Sequence, residues 1–164
     1  MDAKRITLTV ALATILSAAP VLADQPAAAV PDPDRAAQLR EQAEALFSQP
    51  KQWKKAVRLL EQSAELRGAD DAQAYDCLVY AGRIRAAIGD FSAARSDLIK
   101  AADHAMARGA IIDAANALID AAHASVALKD ASGARDLVER ATLLTASPQL
   151  SLEQRAVLKA RLSV

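Results

Sequence analysis

The chain has 164 residues, 20 basic and 20 acidic side chains, one cysteine and only 3% aromatic residues. Because it lacks a basic excess, it does not have the charge signature of a nucleic-acid-binding protein, and a single cysteine excludes an intramolecular disulfide. Stability must come from packing, and a chain of this length can bury a sufficient core as one domain.

Residues 1–23 are predicted to be a cleavable signal peptide. Lys4 and Arg5 precede the uncharged stretch ITLTVALATILSAA, which is shorter than the about 20 apolar residues that a membrane-spanning helix needs. The following Val-Leu-Ala places small residues where a signal peptidase cuts, so we expect cleavage after Ala23 and a periplasmic or secreted protein. The alternative is that this segment is retained as a membrane anchor.

Residues 24–34 have three prolines and no apolar periodicity, which predicts a disordered linker. The remaining chain, residues 35–164, is predicted to be one all-α domain, because alanine dominates it and no stretch alternates like a strand. Turn sequences such as RGADD, IGD and LKD separate about seven helices, near residues 34–48, 51–67, 71–88, 91–108, 110–128, 131–146 and 151–162. Short turns imply antiparallel neighbours.

Two kinds of helix alternate along this domain. The helix that begins near Trp53 has one apolar stripe at helical spacing, through Ala56, Leu60 and Ala64. The segment 74–88 is instead apolar on most sides, which is typical of a helix buried between neighbours. One-faced helices that alternate with buried ones indicate stacked helix pairs.

The sequence repeats itself at an offset of 40 residues. GDFSAARSDLIKAA begins at residue 89 and KDASGARDLVERA at residue 129, so Ala94 aligns with Ala134 and Leu98 with Val138. A third copy lies 38 residues before Ala94, at Ala56. The first helices keep a small residue where helices would cross: Ala43, Gly82 and Ala122.

These three units resemble tetratricopeptide repeats, a family of helix–turn–helix units of 34 residues, in its subclass with repeats of about 40 residues. The resemblance implies a right-handed superhelix of three helix pairs, closed by a C-terminal capping helix with its charges on the outer side. The family's tyrosine is replaced by Leu46, Arg85 and Ser125, and its closing proline appears only as Pro148. An alanine-rich bundle with coincidental repeats is the alternative.

In such arrays, the resemblance implies, the first helix of each pair lines a concave groove. Polar residues at those positions are the predicted partner-binding residues: Arg40, Glu44, Asp76, Arg83, Asn116 and His123. Val79, Ile119 and Val126 are expected to add apolar contacts. The alternative is that these charges pair with one another or solvate a groove that binds nothing.

Few residues suggest chemistry. Asp120 and His123 could form a general-base pair, but they stand without a metal-binding motif or a third ligand, and His104 is the only other histidine. Cys77 lies in the most apolar helix, where a buried thiol is expected. The sequence therefore predicts no enzyme, no metal and no cofactor.

The main functional hypothesis is an exported interaction or assembly module of the cell envelope that binds a protein segment in its groove. The alternative is a periplasmic helical protein that binds a small molecule or solute between helices. An enzyme that uses Asp120 and His123 is the third hypothesis.

Overall fold

The computed structural model describes residues 31–68 and 70–163, so the predicted signal peptide and residues 24–30 of the predicted linker lie outside the described residues. The described chain has no strand and forms seven α-helices. Their bounds are α1 (Pro33–Glu44), α2 (Trp53–Arg67), α3 (Ala72–Ala87), α4 (Phe91–Ala107), α5 (Ile111–Ala127), α6 (Ala131–Thr145) and α7 (Leu152–Leu162). The predicted all-α class with seven helices is confirmed.

The C-terminal end of α1 differs most from the prediction, by four residues, whereas its start differs by one. The helix begins at Pro33, inside the predicted linker, because the Asp32 carboxylate accepts a hydrogen bond from the Arg35 amide at 2.9 Å. It ends at Glu44, because the amides of Leu46 and Phe47 turn back to the carbonyls three residues earlier. That tighter turn leads into a short 3₁₀ segment, Pro50–Gln52.

Most helices start at an acidic or hydroxyl cap that satisfies a free backbone amide. The Ser151 hydroxyl and the Gln154 side chain form the predicted reciprocal capping box of α7. Asp32, Asp71, Asp90 and Asp130 cap α1, α3, α4 and α6, whereas α2 and α5 have no side-chain cap. The short capped turns keep successive helices antiparallel.

Polar contacts show how the helices are layered. The Ser63 hydroxyl donates to the Ala36 carbonyl at 2.7 Å, which places the end of α2 beside the start of α1. Tyr75 at the start of α3 donates to the Asp113 carbonyl at the start of α5, at 3.2 Å. The first helices α1, α3 and α5 therefore run in one direction and form one layer, and α2, α4 and α6 form the other.

Small residues let the two layers approach closely. A Cβ placed on Gly82 would lie 2.7 Å from Leu98 Cγ and 3.2 Å from the Ala94 carbonyl oxygen, so α3 and α4 cross here. Ala94 is 0% exposed and Ala134 is 8% exposed. Helix α3, which was predicted to be buried between neighbours, buries six residues, and α5 buries nine.

Helix α7 packs on α5 and α6 and closes the array. The prediction that its charges lie on the outer side is wrong for two arginines. Arg155 donates inward to the Ser147 carbonyl at 3.0 Å, and Arg161 reaches α5. Leu152 and Val157 are instead 84% and 56% exposed. Among the described helices, none is both long and apolar enough to span a bilayer.

Candidate functional site

The six predicted partner-binding residues all lie on the layer of first helices. Arg40 and Glu44 are on α1, Asp76 and Arg83 on α3, and Asn116 and His123 on α5. Each of these residues is at least partly exposed. We call the surface that they share the groove face.

The N-terminal part of the groove face is held by Arg40. Its Nε donates to Glu44 Oε1 at 2.8 Å, and its Nη1 lies 3.7 Å from Asp76 Oδ2 on the next first helix. The hydrogen bond with Glu44 raises the pKa of the Arg40 guanidinium. One arginine thus faces two carboxylates, and this end of the groove face is acidic.

The C-terminal part has the opposite balance. Arg83 donates to Asp120 Oδ2 through Nε at 3.2 Å and Nη2 at 2.9 Å. Arg161 of α7 donates to Asp120 Oδ1 at 2.6 Å and also to the Asn116 side-chain oxygen. We call these four residues the Asp120 network. With two arginines on one carboxylate, this end of the groove face is basic.

A notch opens beside the Asp120 network. It has a volume of about 270 Å³ and is lined by Arg83, Ala86, Leu98, Asp120 and His123. Leu98 and Ala86 supply an apolar wall below the charged rim. His123 is exposed and makes no hydrogen bond within the described residues. The structure therefore brings Arg83 and His123 to one concave spot.

The expected apolar contacts are only partly present on the groove face. Val126 is 64% exposed, as the prediction requires. Val79 and Ile119 are 8% and 2% exposed, so the prediction is wrong for both. They pack into the core because α3 and α5 are covered by neighbours on both sides.

Most charged residues of the groove face pair with one another, as the alternative interpretation of the sequence expected. All of the predicted binding residues except His123 have a polar partner within it or on α7. In the sequence, Asp120 was a candidate for a general-base pair with His123. In the structure, its carboxylate accepts hydrogen bonds from Arg83 and Arg161. Its spacing of 37 residues from Arg83, close to one repeat, was the available signal.

Sequence reasoning also missed a second ionic cluster, on the other side of α3. Arg85 Nη2 lies 2.9 Å from Glu61 Oε1 on α2, and Nη1 contacts Asp97 on α4. Asp97 is 1% exposed, so this carboxylate lies in the core. We call Glu61, Arg85 and Asp97 the buried cluster. Arg85 stands at a position where the resemblance to tetratricopeptide repeats predicts a tyrosine, and that departure was the signal for an unusual contact.

Of the other reactive side chains, Cys77 is buried and His104 is partly buried. Burial raises the pKa of the Cys77 thiol, whose Sγ is 3.5 Å from the Ser63 hydroxyl. Burial lowers the pKa of the His104 imidazole. In residues 31–68 and 70–163, no three His, Cys, Asp or Glu side chains are grouped to hold a metal ion.

No family model matches the chain, and no curated protein or solved structure is similar enough to match it. The helix-pair repeats and the groove face therefore carry the functional argument by themselves.

Proposed function

We propose that this chain is an exported, tetratricopeptide-like interaction or assembly module of the cell envelope, and that it binds a protein segment on the groove face. The observation that carries the proposal is the notch beside the Asp120 network. There the Arg83 side chain is 57% exposed above an apolar wall, next to His123. A concave surface built by the first helices of stacked pairs is the usual binding surface of helical repeats.

One feature of the sequence supports export, and one feature of the structure supports the type of repeat. The charged start, apolar stretch and small residues of residues 1–23 have the pattern of a signal peptide. The repeated alanines Ala56, Ala94 and Ala134 are all buried. Such buried small residues are what the resemblance to tetratricopeptide repeats requires.

The charges of the notch indicate the chemistry of the partner. Arg83 binds only one oxygen of Asp120, and its Nη1 donates to no other described residue. A carboxylate of a partner could take a charge-assisted bond from this arginine. Because an exposed ion pair contributes only about 0–1 kcal/mol, exchanging Asp120 for a partner carboxylate costs little. We therefore propose an acidic segment as the ligand of this end of the groove face.

The test is capture of partners from an envelope extract by the immobilised protein and by three variants. We expect one stoichiometric partner, whose capture falls at least several-fold for Arg83→Ala and for His123→Ala while their thermal midpoints stay close to the parent. Arg135→Ala is the matched control, because Arg135 is an exposed arginine on α6 in the other layer.

Equal capture by all four proteins would place the binding surface elsewhere. If either groove variant unfolds, that residue is structural and the assignment of the groove face fails. Native mass spectrometry of the purified protein tests the alternative function, since a co-purified small ligand would indicate solute binding.

A further inference from the structure

Four basic side chains lie together at the start of α2, away from the groove face. Lys51, Lys54, Lys55 and Arg58 are all exposed, and the sequence has no acidic residue between Glu44 and Glu61. None of the four forms an ion pair within the described part of the chain. We call these four residues the basic cluster.

The basic cluster concentrates the positive charge of the molecule. The other described residues carry 14 basic and 18 acidic side chains, so they have a net charge that is equal and opposite to that of the cluster. Many of the remaining cations are used internally, as in the Asp120 network and the buried cluster. The near-zero net charge of the chain therefore conceals a strongly polarised surface.

Local structure does not explain these charges. Lys54 and Lys55 lie in the first turn of α2, which has no acidic residue and no side-chain cap. Cations at this end of a helix are unfavourable, because the helix dipole makes the N-terminus positive. The two lysines therefore lie where they destabilise the helix, which indicates that they serve to contact something outside the protein.

Exposed aliphatic side chains lie on the same side of the molecule as the basic cluster. Ile88, in the turn between α3 and α4, is 38% exposed and lines one cavity together with Lys54 and Arg58. Leu128, 40 residues later in the turn between α5 and α6, is also 38% exposed, and Lys129 beside it is exposed. Because the first helices run in one direction, these turns lie along one edge, which we call the turn edge.

The two aspartates of the turn edge, Asp90 and Asp130, accept hydrogen bonds within the chain instead of pairing with the basic cluster. Asp90 accepts from the Ala93 amide at 3.3 Å. Asp130 accepts from the Gly133 amide at 2.9 Å and from Arg95 at 2.6 Å. The basic cluster and its aliphatic neighbours are thus left to meet an external surface.

We propose that the turn edge docks on an anionic lipid bilayer. The basic cluster contacts the anionic headgroups, and Ile88 and Leu128 enter the interfacial region. Peripheral membrane binding combines these two contributions, electrostatic attraction and burial of apolar side chains. Aliphatic side chains at two turn tips, spread along an edge, match an extended surface better than a single acidic peptide. This docking leaves the groove face free and does not depend on the partner proposed for it.

The experiment is co-sedimentation of the full protein, purified from its native host, with vesicles of phosphatidylcholine alone or mixed with phosphatidylglycerol. The readout is the ratio of bound protein on anionic and neutral vesicles, and each variant is compared with the parent, so that any contact through the N-terminal segment contributes equally to the two proteins. We expect preference for anionic vesicles, lost at about 1 M salt, where the Debye length falls to about 3 Å. Lys54→Gln combined with Lys55→Gln should lower the ratio about tenfold or more, since each basic residue contributes about fivefold.

Lys100→Gln combined with Lys159→Gln is the matched control, because it removes two exposed lysines from α4 and α7. Its ratio should stay within about twofold of the parent, since lysines away from the membrane surface contribute little. Ile88→Ser should weaken binding to anionic vesicles without changing the thermal midpoint. Equal ratios for the cluster variant and the control would overturn the proposal. Binding of the same variants to poly-glutamate is measured as well. If the cluster variant loses binding to poly-glutamate but keeps its binding to vesicles, the basic cluster recognises an acidic protein partner, and the proposal is overturned.

Discussion

Helix α3 carries two arginines, two positions apart, that point to opposite sides of the molecule. Arg83 faces the groove and its side chain is 57% exposed, whereas Arg85 is 19% exposed between α2 and α4. Each binds a carboxylate of a later helix, Asp120 and Asp97, whose side chains are 15% and 2% exposed. The chemistry of the two pairs is the same and their burial is not.

Burial decides what each pair can do. Water competes with an exposed ion pair, so Arg83 can exchange its carboxylate for that of a partner at little cost. Removing either member of a buried pair leaves an uncompensated charge in the core, so Arg85 and Asp97 must stay together. The buried cluster therefore holds α2, α3 and α4 in place, and the Asp120 network is available for recognition.

The largest expected effect comes from removing the buried arginine. Arg85→Met should lower the free energy of unfolding by about 3–5 kcal/mol, because Asp97 and Glu61 lose their counter-charge. Arg83→Met, the matched change two residues earlier, should stay within about 0.5 kcal/mol of the parent, as surface substitutions do. Urea unfolding followed by circular dichroism measures both.

Cys77 gives a second readout of the same pair of variants, because it is a buried thiol in the same helix. Its labelling by a thiol reagent should accelerate strongly in Arg85→Met and stay unchanged in Arg83→Met. Similar losses of stability in the two variants would show that burial does not separate the two networks.

A smaller effect tests the close approach of α3 and α4, which encloses Asp97. Ala94→Leu should destabilise the protein by about 1–3 kcal/mol through overpacking. Ala94 is 0% exposed and lies beneath Gly82. Ala107→Leu, at an exposed position of the same helix, is the control. If both variants melt together with the parent, the helices do not cross at Ala94.

The smallest effect is the coupling between Arg83 and Asp120. A double-mutant cycle with Arg83→Met and Asp120→Asn should give about 0–1 kcal/mol, the usual value for an exposed ion pair. Thermal or urea unfolding of the four proteins provides the cycle. A coupling well above this range would mean that the Asp120 network is structural, and the exchange proposed for the groove would then be too costly.

Most of the fold was predictable because it follows from local rules. Alanine-rich stripes and aspartate or serine caps determine where helices begin, and six of the seven predicted helices differ from the structure by no more than two residues at either end. The repeat offset placed the buried alanines at Ala56, Ala94 and Ala134. The end of α1 escaped prediction, because a tight turn replaced the last helical turn.

The site was less predictable because it depends on pairs of distant residues. Helical spacing identified exposed positions such as Arg83 and His123, but it could not show that α7 brings Arg161 onto Asp120. Since α7 lies outside the repeat, no offset related these residues. The burial of Asp97 was not predicted either. A carboxylate on a helix with only one apolar face is expected to be exposed, unless its arginine partner is known.

Because each helix packs mainly on its neighbours in the chain, the order in which the helices unfold can be predicted. Packing is mainly between successive helices, with α7 added at the end, and the first helix packs chiefly on α2. In such arrays stability is roughly a sum of unit and interface terms, so unfolding can proceed from the ends instead of as one event. Helix α1 should therefore fray at a lower free energy than α4, which is held on both sides. The end of the groove face that carries Arg40 would then be compliant, while Arg83 and Asp120 stay on α3 and α5, which are packed on both sides.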